Sequence, residues 1–482
     1  MSALAGLEPA LVWKRFAELT RIPRPPKEEA AARAYVLEWA KSNEFDAEAD
    51  SEGNVVVRVP ARPGREGAAT IVLQAHLDMV CERDPASEYD PREGRIRVVV
   101  NDDWVVAPET TLGADNGIGV AAALAVAEDP SVEHGPLDLL FTVSEEQGLD
   151  GAKALEPSLV SGRLLLNLDG TSDRSLTIGC AGSAHTFVRL RLPLEPIQEQ
   201  GLRVALTGAR GGHSGADIDK GRANAIKALG RVLARAFDET PFRLARLDGG
   251  MSRNAIPRDA EALVTVEDET AFRDAGEREL AALRDQFAGS DAGLSLSIEP
   301  AAVERAADLD ATRRLLDLVA ATPSGVVAMS PSLPGKVETS TSLTTATTEQ
   351  DVVTLSSMTR SANAPALEDV LSGIVAAARP AGAETEILRS YPPWQPDLGS
   401  PLLATARATF ERLFDVTPLL DVVHGGLECA VIGSKLPGVD MLSLGPEIVG
   451  MHAPGERLGI AATQRFYRLL GALLDEISAE RR

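Results

Sequence analysis

The first third of the chain alternates helical and extended patterns. Leu11 to Lys41 reads as helix, interrupted at Ile22-Pro23-Arg24-Pro25-Pro26, because proline fixes φ and removes an amide donor. Asn54 to Pro60 and Ala69 to Ala75 are short β-branched runs and predict strands. Asn116 to Asp129 is alanine-rich and spaces Val120, Leu124 and Ala127 at helical intervals. Leu137 to Ser144 and Leu164 to Asp169 are extended and largely apolar. Strands apolar on both faces belong inside a sheet covered by helices, which predicts an α/β fold. Met441 to Leu444 adds a further strand and Ala461 to Ser478 a closing helix.

The middle of the chain differs. From about Thr186 to Glu386, alternating strands such as Leu202–Thr207 and Ala262–Glu267 are separated by amphipathic helices. Asp219 to Phe237 places Ile226, Leu229, Leu233 and Phe237 on one helical face. From about Leu309 to Glu386 the order helix, strands, helix recurs, which suggests a duplicated α+β lobe.

With 482 residues, more than one domain is expected. Hydrophobic residues make up 44% and charged residues 25%, the balance of a globular protein. The net charge of −23 argues against a nucleic-acid partner and against an anionic membrane surface; dispersed along the chain, it solubilises. The opening residues show no basic segment followed by an apolar core, and no apolar run matches a bilayer. Three distant cysteines form neither a disulfide framework nor a metal knuckle, so a cytoplasmic location is expected, with Cys81 a spectator.

The chemistry gathers where these strands end. Glu145 and Glu146 stand side by side after an apolar strand, and adjacent carboxylates are costly unless cations compensate them. His76, Asp169 and His452 also follow strands, while Asp115 opens the alanine-rich helix, where it is otherwise an ordinary cap. Outgoing strand ends are where open α/β sheets bind ligands. Five oxygen and nitrogen donors plus a spare carboxylate suit two divalent ions, Zn²⁺ first and Mn²⁺ or Co²⁺ as alternatives. A natural division gives His76 and Asp169 to one ion and Glu146 and His452 to the other, with Asp115 and a hydroxide bridging. Asp78, two residues beyond His76, can fix its ring, and Glu145 is left as general base. These residues flank the middle segment, so the simplest architecture is an α/β catalytic domain with a large insertion.

The same residues carry a family resemblance. Ala75-His-Leu-Asp-Met-Val80, Leu112-Gly-Ala-Asp-Asn-Gly-Ile-Gly119, Glu145-Glu146, Asn167-Leu-Asp-Gly170 and Met451-His-Ala-Pro454 resemble the motifs of the co-catalytic zinc peptidases and aminoacylases. Gln74-Ala-His-Leu-Asp-Met-Val-Cys81, Ile178-Gly-Cys-Ala-Gly182, Gly211-Gly-His-Ser-Gly215 and His424-Gly-Gly-Leu-Glu-Cys429 are similar to the bacterial aminoacyl-histidine dipeptidases within that family. The resemblance implies a mixed-sheet catalytic domain, 1–183 with 387–482, interrupted by an enlarged α+β lid at 184–386 that resembles two such units. It implies that His213 stabilises the developing oxyanion, and that Asn254 and Arg360 grip the substrate.

His424, Gly425 and Glu428 form a glycine-rich turn where backbone can approach a ligand, and Glu428 is a candidate for the substrate's amine. His134 and His185 lie outside every motif and read as structural. Tyr391-Pro-Pro-Trp394 is a stiff extended segment whose aromatics either border the pocket or fill a junction. The expected activity is hydrolysis of a small unblocked dipeptide of the Xaa-His type. A related tripeptidase, carboxypeptidase or deacylase shares the metal chemistry, and a non-catalytic metal-stabilised peptide binder stands further off. The sequence leaves the oligomeric state open; a homodimer is compatible with it, with His213 acting in its own chain or across the dimer.

Overall fold

Strands β1 (Asp46–Ala49), β2 (Val55–Val59), β3 (Ile71–His76), β4 (Leu137–Thr142), β5 (Leu164–Asn167), β6 (Ser175–Cys180), β7 (Leu419–Val423) and β8 (Asp440–Ser443) form one mixed sheet in the order β1-β2-β4-β3-β5-β8-β6-β7. The structure, a computed structural model, describes residues 3–197 and 201–479. The four central strands β4, β3, β5 and β8 run parallel, and β2 closes antiparallel on β4. Every residue of β3, β4 and β5 is buried, as their unbroken apolar character requires of strands covered on both faces. Helix Ala114–Glu128 packs on β3 and on helix Ala10–Leu19, while helices Pro401–Phe414 and Glu428–Lys435 pack against β8. The proline run at 22–26 separates helices Ala10–Leu19 and Ala30–Ser42, and the closing helix spans Ile460–Ala479.

The chain divides into two compact units. The first holds Met1–Cys180, Pro396–Val423 and Leu427–Arg482; the second holds Ala181–Gln395 with His424–Gly426. The sequence placed the boundaries at 183/184 and 386/387. Both fall inside strands, Gly182–Arg191 and Glu384–Tyr391, which pair with each other and so stay in one unit.

The second unit is built on a nine-stranded sheet. Strands Ser295–Ala301, Gly201–Thr207, Ala260–Val266 and Phe242–Gly249 form one half of it. Strands Val337–Glu349, Val352–Ser361, Gly182–Arg191 and Glu384–Tyr391 form the other, with Gly325–Met329 beside Val337–Glu349. The halves meet where Gly249 pairs with Ala346. Ile226, Phe272, Leu315 and Ile374, from four different helices, join one continuous apolar core, so the two α+β repeats share both sheet and core. The helix expected from Asp219 begins instead at Ala225. Gly221 takes left-handed backbone (φ 62°), and the Asn224 side chain accepts from the amides of Ile226 (3.1 Å) and Lys227 (3.2 Å) as an N-cap. Among the described residues, no helix is long and apolar enough to cross a membrane.

Candidate metal centre and substrate residues

The parallel strands deliver their outgoing ends to one place. His76 is the last residue of β3, Asp169 lies two residues past β5, and Glu145 and Glu146 follow β4 through Ser144. Ser144 (φ 52°) and His452 (φ 64°) both take left-handed backbone, an uncommon conformation that clusters at functional sites. His452 is held by a small sheet in which Ile448–Val449, Arg457–Gly459, Trp104–Val106 and Val99–Asn101 pair in that order.

Asp115 is central to the cluster. Its Oδ1 lies 3.0 Å from His76 Nε2, and its Oδ2 lies 3.2 Å from His452 Nε2. Asp169 Oδ1 lies 3.5 Å from His76 Nε2, and Glu146 Oε2 lies 3.1 Å from His452 Nε2. Each oxygen of Asp115 therefore faces a separate histidine–carboxylate pair. The donor atoms of His76, Asp115 and Glu146 all fall within 4.8 Å of one another. Glu146 Oε1 is buried and has no partner among the described residues. A convergence of carboxylates and imidazoles around an orphaned carboxylate oxygen, with no thiolate, fits divalent ions with oxygen and nitrogen ligands.

Asp78 links two arms of this cluster. Its Oδ1 sits 3.3 Å from His76 Nδ1 and accepts the Glu145 amide (3.0 Å), while Oδ2 accepts the Glu146 amide (3.0 Å). One carboxylate thus orients the imidazole and anchors the Glu145-Glu146 turn. Burial pushes the Glu145 carboxyl well above the usual range; His76 opposes this, and Asp169, Glu428 and Glu146 reinforce it. Burial lowers His76, but Asp169, Asp115 and Asp78 outweigh it and hold the imidazolium well above its usual range.

Several supporting residues escaped the sequence reading. Asn116 donates to Asp169 Oδ1 (2.6 Å). Glu456 accepts the amides of Leu112, Gly113, Ala114 and Asp115, and Arg24 donates to the carbonyls of Leu77, Asp78 and Gly113. Neither charge lies in a motif that the pattern of ligands would single out.

Glu428 is placed differently from expectation. It starts a helix of the first unit and is 1% exposed. Its Oε2 accepts from Gln74 Nε2 (2.6 Å) and Thr142 Oγ1 (2.7 Å), side chains of adjacent strands, and burial pushes its carboxyl up to about 7. That network continues from Asn167 Nδ2 to Gln74 Oε1 (2.6 Å). Glu428 thus links strands β3 and β4 through Oε2, while its Oε1 is buried and has no partner among the described residues. Burial also lifts the Cys81 thiol to about 11, which leaves it protonated and poorly nucleophilic near neutral pH.

The second unit gathers the other candidates. His213 is exposed, and its Nδ1 accepts the amides of Gly215 (3.2 Å) and Ala216 (3.0 Å). Partial burial, with Arg360 adding to it, lowers its pKa against the opposing Asp217. The neutral ring must therefore carry its proton on Nε2, as a donor. Asn254 stands beside it: its carbonyl accepts the Ser214 amide (2.8 Å), and Ala255 pairs with His213.

Arg360 is 5% exposed; its Nη1 donates to the Tyr391 hydroxyl (3.3 Å) and its Nε has no partner among the described residues. His424 Nε2 shares a hydrogen bond with Ser340 Oγ (2.7 Å), and burial, aided by Arg360, lowers its pKa to about 4. Gly425 is half-buried in the same turn, and its neighbour Gly426 must be bare, since a Cβ there would lie 2.5 Å from the Tyr391 ring. Among the described residues His134 hydrogen-bonds the Gly135 carbonyl (2.8 Å), and His185 stacks on Phe187.

Residues 72–476 match the description of peptidase family M20/M25/M40. The chain belongs to that family. It is 37% identical over 485 residues, the whole of both chains, to the cytosol non-specific dipeptidase of Escherichia coli K12. The aminoacylhistidine dipeptidase of Vibrio alginolyticus superposes with a TM-score of 0.91 at 35% identity, over 98% of each chain. An aminopeptidase from Bacillus cereus shares the fold alone, with a TM-score of 0.59 and 17% identity over 98% of this chain and 100% of that one. As a member of the M20/M25/M40 peptidases, the protein is a metal-dependent hydrolase of peptide bonds. Its fold is the expected metallopeptidase domain with an inserted α+β lid.

Proposed function

We propose that the protein is a cytoplasmic dipeptidase that cleaves small unblocked dipeptides, of the Xaa-His type, with two divalent ions, Zn²⁺ foremost. The observation that carries this reading is the division of Asp115, whose two oxygens face His76 with Asp169 and His452 with Glu146. The names borne by the full-length relatives, both dipeptidases and one acting on aminoacyl-histidines, support the substrate class. When bound, the ions polarise the scissile carbonyl and make water a stronger acid. Glu145 takes the proton from the attacking water and passes it to the leaving amine, while Asp78 holds both Glu145 and His76 in register.

His213 supplies a neutral Nε2–H donor to the developing oxyanion. His213→Ala should lower kcat roughly 10²-fold or more with metal content unchanged. A rise in KM alone, in steady-state kinetics, reduces His213 to ordinary binding.

Arg360 is a buried guanidinium that, among the described residues, forms no ion pair with a carboxylate, and it is proposed to meet the substrate's terminal carboxylate. A longer peptide presents an amide at that point, so the pair measures substrate length. Arg360→Ala should cost about 2–5 kcal/mol in kcat/KM for a dipeptide and almost nothing for its C-terminal amide. Equal losses on both substrates contradict the length-measuring role. The overall reading is tested with beta-Ala-His against other dipeptides, free and N-acylated, after chelation and re-addition of each metal. Preference for N-acylated substrates, or activity indifferent to chelation, overturns it.

A further inference from the structure

Two charges of the first unit are buried without pairing to each other. Arg24 is 1% exposed and Glu456 is 2% exposed. Burying a charge is costly unless hydrogen bonds compensate, so where those bonds go indicates what the charge does. Arg24 Nη1 donates to the carbonyls of Leu77 (2.9 Å) and Asp78 (2.9 Å), and Nη2 donates to the carbonyl of Gly113 (2.6 Å). Glu456 Oε2 accepts the amides of Leu112 (2.7 Å) and Gly113 (3.0 Å), and Oε1 accepts those of Ala114 (2.8 Å) and Asp115 (3.3 Å).

The segment Leu112–Asp115 thus has its amides turned to an anion and its Gly113 carbonyl to a cation. Glycine is required at Gly113, within it, and space is also tight at Gly117, just past it. Gly113 has φ 69°, and a Cβ there would lie 2.5 Å from Arg24 Nη2; at Gly117 a Cβ would lie 2.6 Å from the same atom. The two charges also join separate parts of the chain. Arg24 ties the residues that follow His76 to the segment that carries Asp115. Glu456 ties that segment to the loop of His452, four positions earlier in sequence. The backbone of Glu456 adds a bond, its carbonyl accepting the Ala107 amide (3.2 Å).

We infer that Arg24 and Glu456 are positioning residues, which clamp the Asp115 segment from opposite sides and set the spacing between His76, Asp115 and His452. The inference rests on the metal-centre reading above. Both are buried and spend their side-chain hydrogen bonds on backbone groups, so their effect is on how well the donors are arranged for the ions.

Arg24→Met removes the charge and strands three carbonyls, and a failure to fold is its simplest outcome. Arg24→Lys keeps the charge but not the fork, and Glu456→Gln keeps the shape but turns an amide donor toward amides. Full-length wild type, Arg24→Lys and Glu456→Gln are compared by competition for Zn²⁺ and Mn²⁺ with a chromophoric chelator, with circular dichroism to confirm folding. The expected result is a folded protein with metal affinity weakened about 10- to 100-fold in each variant. Excess metal should restore kcat in Arg24→Lys, with the dipeptide KM unmoved.

Metal affinity within twofold of wild type in either folded variant overturns the inference. So does a variant unfolded with and without metal, which makes the residue a general support of the fold. A wild type that binds neither ion defeats the metal centre itself, a result distinct from either.

Discussion

Glu145→Ala should abolish turnover while leaving the metal in place. In the proposed reaction Glu145 is the base and not a ligand, and its turn is anchored through backbone amides that the substitution keeps. Loss of a general base costs at least about 10²-fold in kcat. The assay is paired: kcat on a dipeptide, and metal per chain by elemental analysis. Near-normal turnover with both ions bound would remove Glu145 from the role given to it, and loss of metal would make it a ligand.

Asp115→Ala should have an even broader effect, emptying both metal positions at once. Its oxygens divide between the His76 and His452 sides, so the substitution removes one donor from each ion and the link between them. His76→Ala removes a donor from one side alone and should deplete chiefly that ion. Elemental analysis after dialysis against a weak chelator separates the two cases. If Asp115→Ala keeps one full equivalent while losing the other, the carboxylate does not bridge.

Much of the centre was legible because each donor punctuates an apolar run. His76 ends, and Glu146 and Asp169 follow, strands whose every residue is buried, and a polar side chain at such a point stands out. The alternation of elements likewise exposed the α/β sheet and the different middle segment. Arg24 and Glu456 were not legible, since a lone charge in a proline- or glycine-rich loop reads as a surface charge until its hydrogen bonds are seen. The bonds of Glu428 were hidden for a related reason: its glycine-rich prelude suggests an open turn and gives no sign that Gln74 and Thr142, far away in sequence, hold its Oε2. The start of the helix at Ala225 turned on one left-handed glycine and one capping asparagine, which hydrophobic spacing extends past. Nor does periodicity reveal that Gly249 meets Ala346, because strand neighbours far apart in sequence leave no local mark.

The position of β8 has a consequence for how the chain is made. This strand follows the whole inserted unit in sequence, yet it lies in the interior of its sheet, between β5 and β6. Until Asp440–Ser443 leaves the ribosome, β5 lacks its parallel neighbour and presents an unpaired apolar edge, the kind that templates aggregation. The nascent chain meanwhile carries the whole second unit, whose sheet needs none of the missing strand. In sequence order the strands of the inserted unit come first, the peptidase sheet is complete only with β8, and His452 follows both. A chain stalled before that residue lacks one of the side chains proposed to hold metal, so in the proposed reaction the ability to cut peptides waits for His452 to be made.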